Sequence, residues 1–226
     1  MLVLFVHGAL VRDADWWWHR MPGPLGRHGL RTAAVELPSC VGRGDLAADA
    51  AAVAAAVTGA GEPVTLVGHS YGGTVITEAG RDAAHLVYVT SVLADAGRSH
   101  ADSGSGRGPA PWVRPHPDGT LELVGDRIRE LFFADCDDET YEQALARRAR
   151  QDAAALTGAV TVPAWRSVPS TYVVCTEDRA IPADVQRAAA VRAGRTVEIP
   201  TGHHPFLSRP DLFTGTLAGT IRTGVP

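Results

Sequence analysis

Lysine is absent from this chain of 226 residues, and cysteine and methionine are scarce. The three cysteines, Cys40, Cys136 and Cys175, are odd in number, widely spaced and free of any C-x-x-C pair. That pattern argues against a disulfide framework and against a thiol-based zinc site, and it points to a reduced, cytoplasmic protein. Long apolar runs are missing as well. The first six residues are apolar but too short for a membrane span or a secretory core, and no basic segment precedes them. They read as a core strand. An excess of positive charge is also absent: Lys+Arg 21 against Asp+Glu 25 leaves a net charge of -4, and the basic residues are arginines without a dense cluster. Nucleic acid and membrane surfaces are therefore not expected partners. No internal repeat and no linker divides the chain, so residues 1–226 are expected to form one domain.

What is present is ordinary core material, 45% hydrophobic and 20% charged. That composition supports a folded domain with a substantial interior. Leu2–Val6 is a continuous apolar strand, ended by His7-Gly8-Ala9. Such strands are buried on both faces, which implies a parallel sheet. Asp13 or Asp15 is placed to cap a helix carrying Trp16-Trp17-Trp18, a cluster expected mainly to pack that helix onto the sheet. A second strand is expected over 32–37, stopped by Pro38 and followed by a loop over 39–44. An alanine-rich helix over 46–57, capped by Asp45, comes next. Strands at 64–69 and 85–90 continue the alternation of strand and helix, which argues for repeated βα units.

The rhythm breaks after Ser91. Residues 94–117 are rich in Gly, Pro, Ser and Asp, and Asp118-Gly119 reads as a tight turn. Helical character returns over 126–133 and 138–150, and more weakly over 153–165. The segment of roughly 95–165 is too poor in apolar residues to fold alone. It is expected to be a cap inserted above the strand ends. Ser170–Cys175 and Arg195–Ile199 resume the sheet, and a last helix is expected over 209–221.

The chemistry gathers on Gly68-His69-Ser70-Tyr71-Gly72, a G-x-S-x-G pattern between a strand and a helix. A strand turning sharply into a helix strains its central serine and lifts the hydroxyl above the sheet. Glycines flank the turn because side chains there collide with neighbouring backbone. The Tyr71 N–H, at the start of the helix, is then a donor for a developing oxyanion. A serine needs a neutral-pKa base, and the base needs a carboxylate to orient it. Asp178 and His203 both follow expected strands, and the order Ser70, Asp178, His203 fits the requirement. Glu177 competes with Asp178, and His204 with His203. Asp178 is favoured because it sits deeper in the turn before Ile181-Pro182, and His203 because Gly202 allows a tight turn before it. His7 and His69 read as loop supports. The His203-His204 pair alone does not make a metal site, since no Cys or acidic cluster lies near it in sequence.

These residues give the chain a family resemblance. Phe5-Val6-His7-Gly8-Ala9, Gly68 to Gly73, Tyr172 to Cys175 with Thr176-Glu177-Asp178, Ile181-Pro182, and Gly202-His203 with Pro205, Leu207-Ser208 and Pro210 resemble the α/β-hydrolase-fold superfamily. The likeness is to its small-cap branch, with plant methyl esterases, hydroxynitrile lyases and bacterial carboxylesterases. The resemblance implies an α/β fold of about six mostly parallel strands flanked by helices. It also implies an oxyanion hole made by the Ala9 and Tyr71 N–H groups. Where resembling lyases carry a threonine and a lysine, this chain has Gly8 and His204. The expectation is therefore a serine hydrolase, a carboxylesterase acting on a small or medium, largely apolar ester without a metal or organic cofactor. A lyase, a cyclase, a C–C-bond hydrolase or a ligand receptor on the same fold stands as the alternative. Trp17, Trp112, Phe132, Phe133 and Tyr141 are candidates to line the substrate pocket, and Trp165 is a further aromatic anchor of the cap.

Overall fold

The computed structural model describes residues 1–103 and 110–224. Apolar runs become strands where the sequence places them. The first is β1, Leu2–Val6, and after it come two short helices, α1, Ala14–Trp17, and α2, Pro22–Gly26. Strand β2, Arg31–Val35, leads to α3, Pro38–Val41, and to the long helix α4, Leu46–Gly59. Strand β3, Val64–His69, turns directly into α5, Tyr71–Ala79, and β4, His85–Val89, follows. The segment between β4 and β8, expected as the cap and called so below, holds β5, Val113–Pro115, β6, Thr120–Leu123, α6, Ile128–Phe132, α7, Asp138–Leu145, β7, Gln151–Asp152, and α8, Ala153–Thr157. The chain closes with β8, Ser170–Cys175, α9, Ala183–Ala190, β9, Arg195–Ile199, α10, Pro205–Ser208, and α11, Pro210–Gly224.

Six strands pair in the order β2-β1-β3-β4-β8-β9, every pair parallel. All residues of the four inner strands are buried, while β2 and β9 at the edges are only partly buried. This is the continuous burial that helices on both faces require. Alternate side chains serve opposite faces. Leu2, Leu4, Val6, Leu66, Leu86, Tyr88, Tyr172 and Val174 join one core with α4 and α5. Val3, Phe5, Val67, Val87, Val89 and Val173 join another with Trp17, Trp18 and α11. Trp18 stacks on Phe5 at 4.3 Å and lies 4.0 Å from Phe206, so the tryptophan cluster does fasten its helix to the sheet. Among the described residues, no helix is long and apolar enough to cross a membrane.

Several boundaries differ from the sequence expectation. Strand β2 ends at Val35, and the carboxylate of Glu36, the next residue, accepts the N–H groups of Asp13 and Ala14 at 2.8 and 2.9 Å. Glu36 thereby caps α1, and neither Asp13 nor Asp15 does. Asp13 has φ 69°, makes no side-chain cap, and pairs with Arg147 instead. Pro38 opens a turn of helix, its fixed φ suiting that position, where a loop was expected. Asp45 does cap α4, accepting the Ala48 N–H at 2.9 Å.

The cap departs most. Its strands were not expected, yet β5, β6 and β7 form a three-stranded antiparallel sheet around the turn at Gly119, φ 82°. Strands of two to four residues carry too little alternation to be read from sequence, and partners elsewhere in the chain define them. The expected helices are present but shortened. Part of the 94–117 stretch, residues 104–109, lies outside the described residues.

Candidate active site

Strand β3 delivers Ser70 into the turn before α5 with φ 51° and ψ -119°, a conformation that non-glycine residues rarely adopt. The surroundings leave no alternative. A Cβ on Gly68 lies 2.6 Å from the Gly72 carbonyl oxygen, and one on Gly72 collides with the carbonyl oxygens of Val6 and His7, the latter at 2.6 Å. The turn is thus wedged between β1 and its own helix. Ser91 Oγ donates to the Ser70 carbonyl at 2.6 Å, and the Ser70 N–H donates to the Val89 carbonyl at 3.1 Å. Gly73 must lack a side chain because Ser91 occupies that space.

Asp178 and His203 lie in the loops after β8 and β9, and the parallel sheet brings these loops to the same edge. His203 Nδ1 is 2.8 Å from Asp178 Oδ2. The same oxygen accepts from Thr90 Oγ1 and, at 3.4 Å, from Gln186 Nε2. Asp178 Oδ1 accepts the N–H groups of Ala180 and Ile181 at 2.8 and 3.0 Å. Burial alone raises this carboxyl's pKa, but the His203 charge and the hydrogen bonds outweigh it and hold the group below its ordinary value. The backbone N–H of Glu177, the neighbouring acid, donates to the Thr201 carbonyl and ties the acid loop to the loop after β9.

The competing base, His204, is engaged elsewhere. His204 Nδ1 lies 2.8 Å from the Phe132 carbonyl oxygen, and its ring stacks on Phe133 at 4.6 Å. Burial, with the His203 charge beside it, lowers its pKa to about 3. His69 Nε2 meets the His203 carbonyl at 2.9 Å, and burial first, then His203 and His204, hold it neutral. His7 Nδ1 meets the Gly8 carbonyl at 2.8 Å, and its Nε2 accepts the Leu37 N–H at 3.3 Å. Both histidines support loops, as expected from their positions.

The fold gathers His69, His203 and His204 so that one ring nitrogen of each lies within 4.8 Å of the others. Only the last two are neighbours in sequence, so the trio was not legible there. Each ring is already tied through the oxygen contact given above, and no ligand set beyond the three imidazoles surrounds them among the described residues.

The two expected oxyanion donors flank the serine. A Cβ on Gly8 stands 3.3 Å from Ser70 Cβ, so the loop carrying Ala9 runs directly over the elbow. Tyr71 is the first residue of α5. Neither the Ala9 nor the Tyr71 N–H donates to a backbone carbonyl outside the regular elements among the described residues. Such groups are available for a ligand.

The aromatic candidates separate into two groups. Phe132 stands edge-on to His203 at 5.2 Å, with Trp112 edge-on to Phe132 at 5.9 Å. Trp17 and Phe133 are buried against His204, and Tyr141 packs on Phe133 under the Arg129 guanidinium. Trp165 donates its Nε1–H to the Ala94 carbonyl.

Sequence reading missed several supporting residues. Thr90, with φ 38°, aims its hydroxyl at Asp178. Gln186 clamps the acid loop through Cys175 and Ile181. Asp135 accepts the Gly202 N–H at 2.7 Å, just before His203. Asp49 is wholly buried in α4. Only Asp49 left a signal. It lies on the stripe of Leu46, Ala50, Val53 and Val57, a carboxylate at helical spacing on an apolar face.

Comparison with known proteins places this geometry among relatives. The model of the Alpha/beta hydrolase family matches residues 3–216. The chain is 30% identical over 168 residues to the alpha/beta hydrolase nvfD of Aspergillus novofumigatus (strain IBT 16806), covering 67% of each chain. Its fold is similar to that of a pyrethroid hydrolase from Sphingobium faniae JZ-2, with a TM-score of 0.86, 22% identity, and 98% and 97% of the two chains covered. It is also similar to that of the methylesterase MES16 from Arabidopsis, with a TM-score of 0.80, 18% identity, and 99% of each chain covered.

Proposed function

The chain belongs to the alpha/beta hydrolase family, and we propose that within it the protein is a serine carboxylesterase acting on a small or medium, largely apolar ester. The observation that carries the reading is the buried Asp178–His203 pair at 2.8 Å, on the sheet edge where the strained Ser70 stands. A carboxylate at Nδ1 fixes the tautomer that leaves Nε2 free to act as a base. Phe132 beside His203, backed by Trp112, is an apolar wall suited to such an ester. His204 speaks against cyanohydrin cleavage, because burial keeps it neutral where resembling lyases hold a lysine cation.

Ser70 Oγ attacks the ester carbonyl carbon while His203 Nε2 takes its proton. The C=O π electrons move to oxygen, and the N–H groups of Ala9 and Tyr71 hold that oxyanion. Collapse breaks the bond to the alcohol, which leaves with the proton from His203. Water then adds to the acyl-enzyme and gives a proton to His203. The second collapse returns that proton to Ser70 Oγ and frees the carboxylic acid. One donor of such a hole is worth ~10²–10³ in rate.

The cytoplasmic setting we propose rests on Cys40, Cys136 and Cys175, which are all buried and unpaired. Burial raises each thiol above its ordinary pKa, which suits structural rather than reactive cysteines.

The test is turnover of p-nitrophenyl esters of increasing acyl length by wild type and Ser70→Ala, with mass spectrometry of the quenched reaction. Ser70→Ala is expected to lose about 10⁴-fold or more in kcat. The wild type is expected to carry an acyl group on the peptide containing Ser70. Wild-type turnover by Ser70→Ala would end the proposal.

A further inference from the structure

Four side chains at 0% exposure, Ser39, Asp49, Tyr71 and Gln151, form one hydrogen-bonded chain. Gln151 belongs to the cap strand β7, Ser39 to α3, Asp49 to α4, and Tyr71 opens α5. Gln151 Oε1 accepts the Leu10 N–H at 2.9 Å, and its Nε2 donates to Ser39 Oγ at 2.9 Å. Ser39 Oγ donates to Asp49 Oδ2 at 2.6 Å, and the Ser39 N–H donates to Asp49 Oδ1 at 2.9 Å. The Tyr71 hydroxyl donates to Asp49 Oδ2 at 2.7 Å. The chain therefore starts one residue after Ala9 and ends on the side chain of Tyr71. Those are the two residues whose N–H groups are assigned to the oxyanion hole.

The loop at the Gln151 end needs holding. Leu10 has φ 62°, a left-handed conformation that a branched side chain adopts only when its surroundings impose it. Gln151 takes its N–H, and the cap residue Ala149 donates to its carbonyl at 2.8 Å. Arg12 N–H reaches the Arg147 carbonyl at 2.9 Å, so the cap backbone runs alongside Leu10 to Arg12. At the other end the elbow is fixed by glycine packing and by the Tyr71–Asp49 bond. Between the two halves, Gln151, Ser39 and Asp49 supply a connection of fixed length and saturated geometry. An oxyanion hole works only when its donors are aimed at where charge develops, and small displacements are costly.

We propose that Gln151 is a positioning residue that, through Ser39 and Asp49, sets the spacing of the Ala9 and Tyr71 donors, so that the cap completes the oxyanion hole. This rests on the serine-hydrolase reading above. It assigns the cap a part in the chemical step in addition to contact with substrate. A network that only satisfied buried polar groups would contribute to stability and leave transition-state binding alone.

The test replaces Gln151 by methionine, which keeps the length and removes both hydrogen bonds. Kinetics on a p-nitrophenyl ester and the affinity of an alkylboronic acid, which forms a tetrahedral adduct on the nucleophile, are measured well below each variant's melting temperature. The expected result is a kcat about 10-fold lower, with KM within about twofold and boronate affinity reduced by a similar factor. Ser39→Ala, a smaller change that cuts the same chain in the middle, is expected to shift kcat and boronate affinity in the same direction, and it serves alone if Gln151→Met does not fold. Arg43→Ala releases the Asp118 carbonyl on the neighbouring turn and the Asp152 carboxylate on β7 without removing a bond of the network, and is expected to leave kcat unchanged. Wild-type kcat and boronate affinity in the folded variants would overturn the proposal, as would an equal loss in Arg43→Ala. Ser70→Ala separates the two readings. If it retains turnover, the hydrolase reading falls. If it is inactive while Gln151→Met behaves as wild type, only the positioning role falls.

Discussion

The elbow that carries Ser70 and the loop that carries His203 are held by different forces. The elbow is fixed by exclusion. Gly68, Gly72 and Gly73 press against backbone or against Ser91, and no side chain fits between them. The histidine loop is fixed by reach. Asp135 holds the Gly202 N–H, the Phe132 carbonyl holds His204, and Asp178 holds His203. The first two come from the cap, the third from the sheet. A steric constraint is local and rigid, whereas a constraint by hydrogen bonds depends on a second segment folding correctly. The proposed nucleophile is therefore the property of the sheet, and its base is shared between sheet and cap.

The sharpest way to break this contrast is at the elbow. Gly72→Ala places a methyl group on the carbonyls of Val6 and His7, which are backbone of a buried strand and its turn. The expected cost is about 3 kcal/mol or more, measured by urea unfolding, because neither partner can rotate away. A loss under about 1 kcal/mol would mean that the elbow is less rigid than its packing implies.

The histidine loop is expected to respond to pH instead. Unfolded His204 takes up a proton below about pH 6.5, whereas in the fold it stays neutral down to about 3. Between those values the unfolded chain binds the extra proton, so stability falls as pH falls, by about 1.4 kcal/mol per pH unit for this one group. His204→Gln removes that share. Its stability is expected to decline more gently than wild type between about pH 6 and 4, as read from denaturation at several pH values. Parallel curves for the two proteins would mean that His204 gains no protection from its surroundings.

The smallest effect is expected on the outside of the cap. Arg147 pairs with Asp13 at 2.8 Å and lies 4.4 Å from the Trp16 ring centre, but both charges are partly exposed. Arg147→Ala is expected to cost about 1 kcal/mol or less and to leave kcat unchanged, because the backbone bonds to Leu10 and Arg12 remain. A larger loss of kcat would show that the side chain, too, holds the oxyanion loop.

Much of this was legible residue by residue. β1 and β8 fall where the sequence places them, since a strand buried on both faces needs only an unbroken run of strand formers and a stop. Gly68, Ser70 and Gly72 could be read because the steric demand of the turn is written within five residues. Asp178 and His203 could be read because each follows a strand of the same parallel sheet. The cap could not be read to the same depth. Its strands are two to four residues long, and Gln151 becomes a strand residue only by pairing with Leu121. Glu36 took the capping role from Asp13 because it reaches across from the residue just after β2.

The sequence by itself determined the parallel sheet, the strained turn at Ser70, and the loops on which an acid and a base were to be sought, because each depends on neighbours within a few positions. Only the tertiary structure decided the rest. It selected Asp178 over Glu177 as the partner of His203, turned His204 toward Phe132, and ran a buried hydrogen-bonded chain from Leu10 to Tyr71. Those choices join residues separated by tens to more than a hundred positions, and hydrogen bonds over that span form only once the fold has brought both ends out of water.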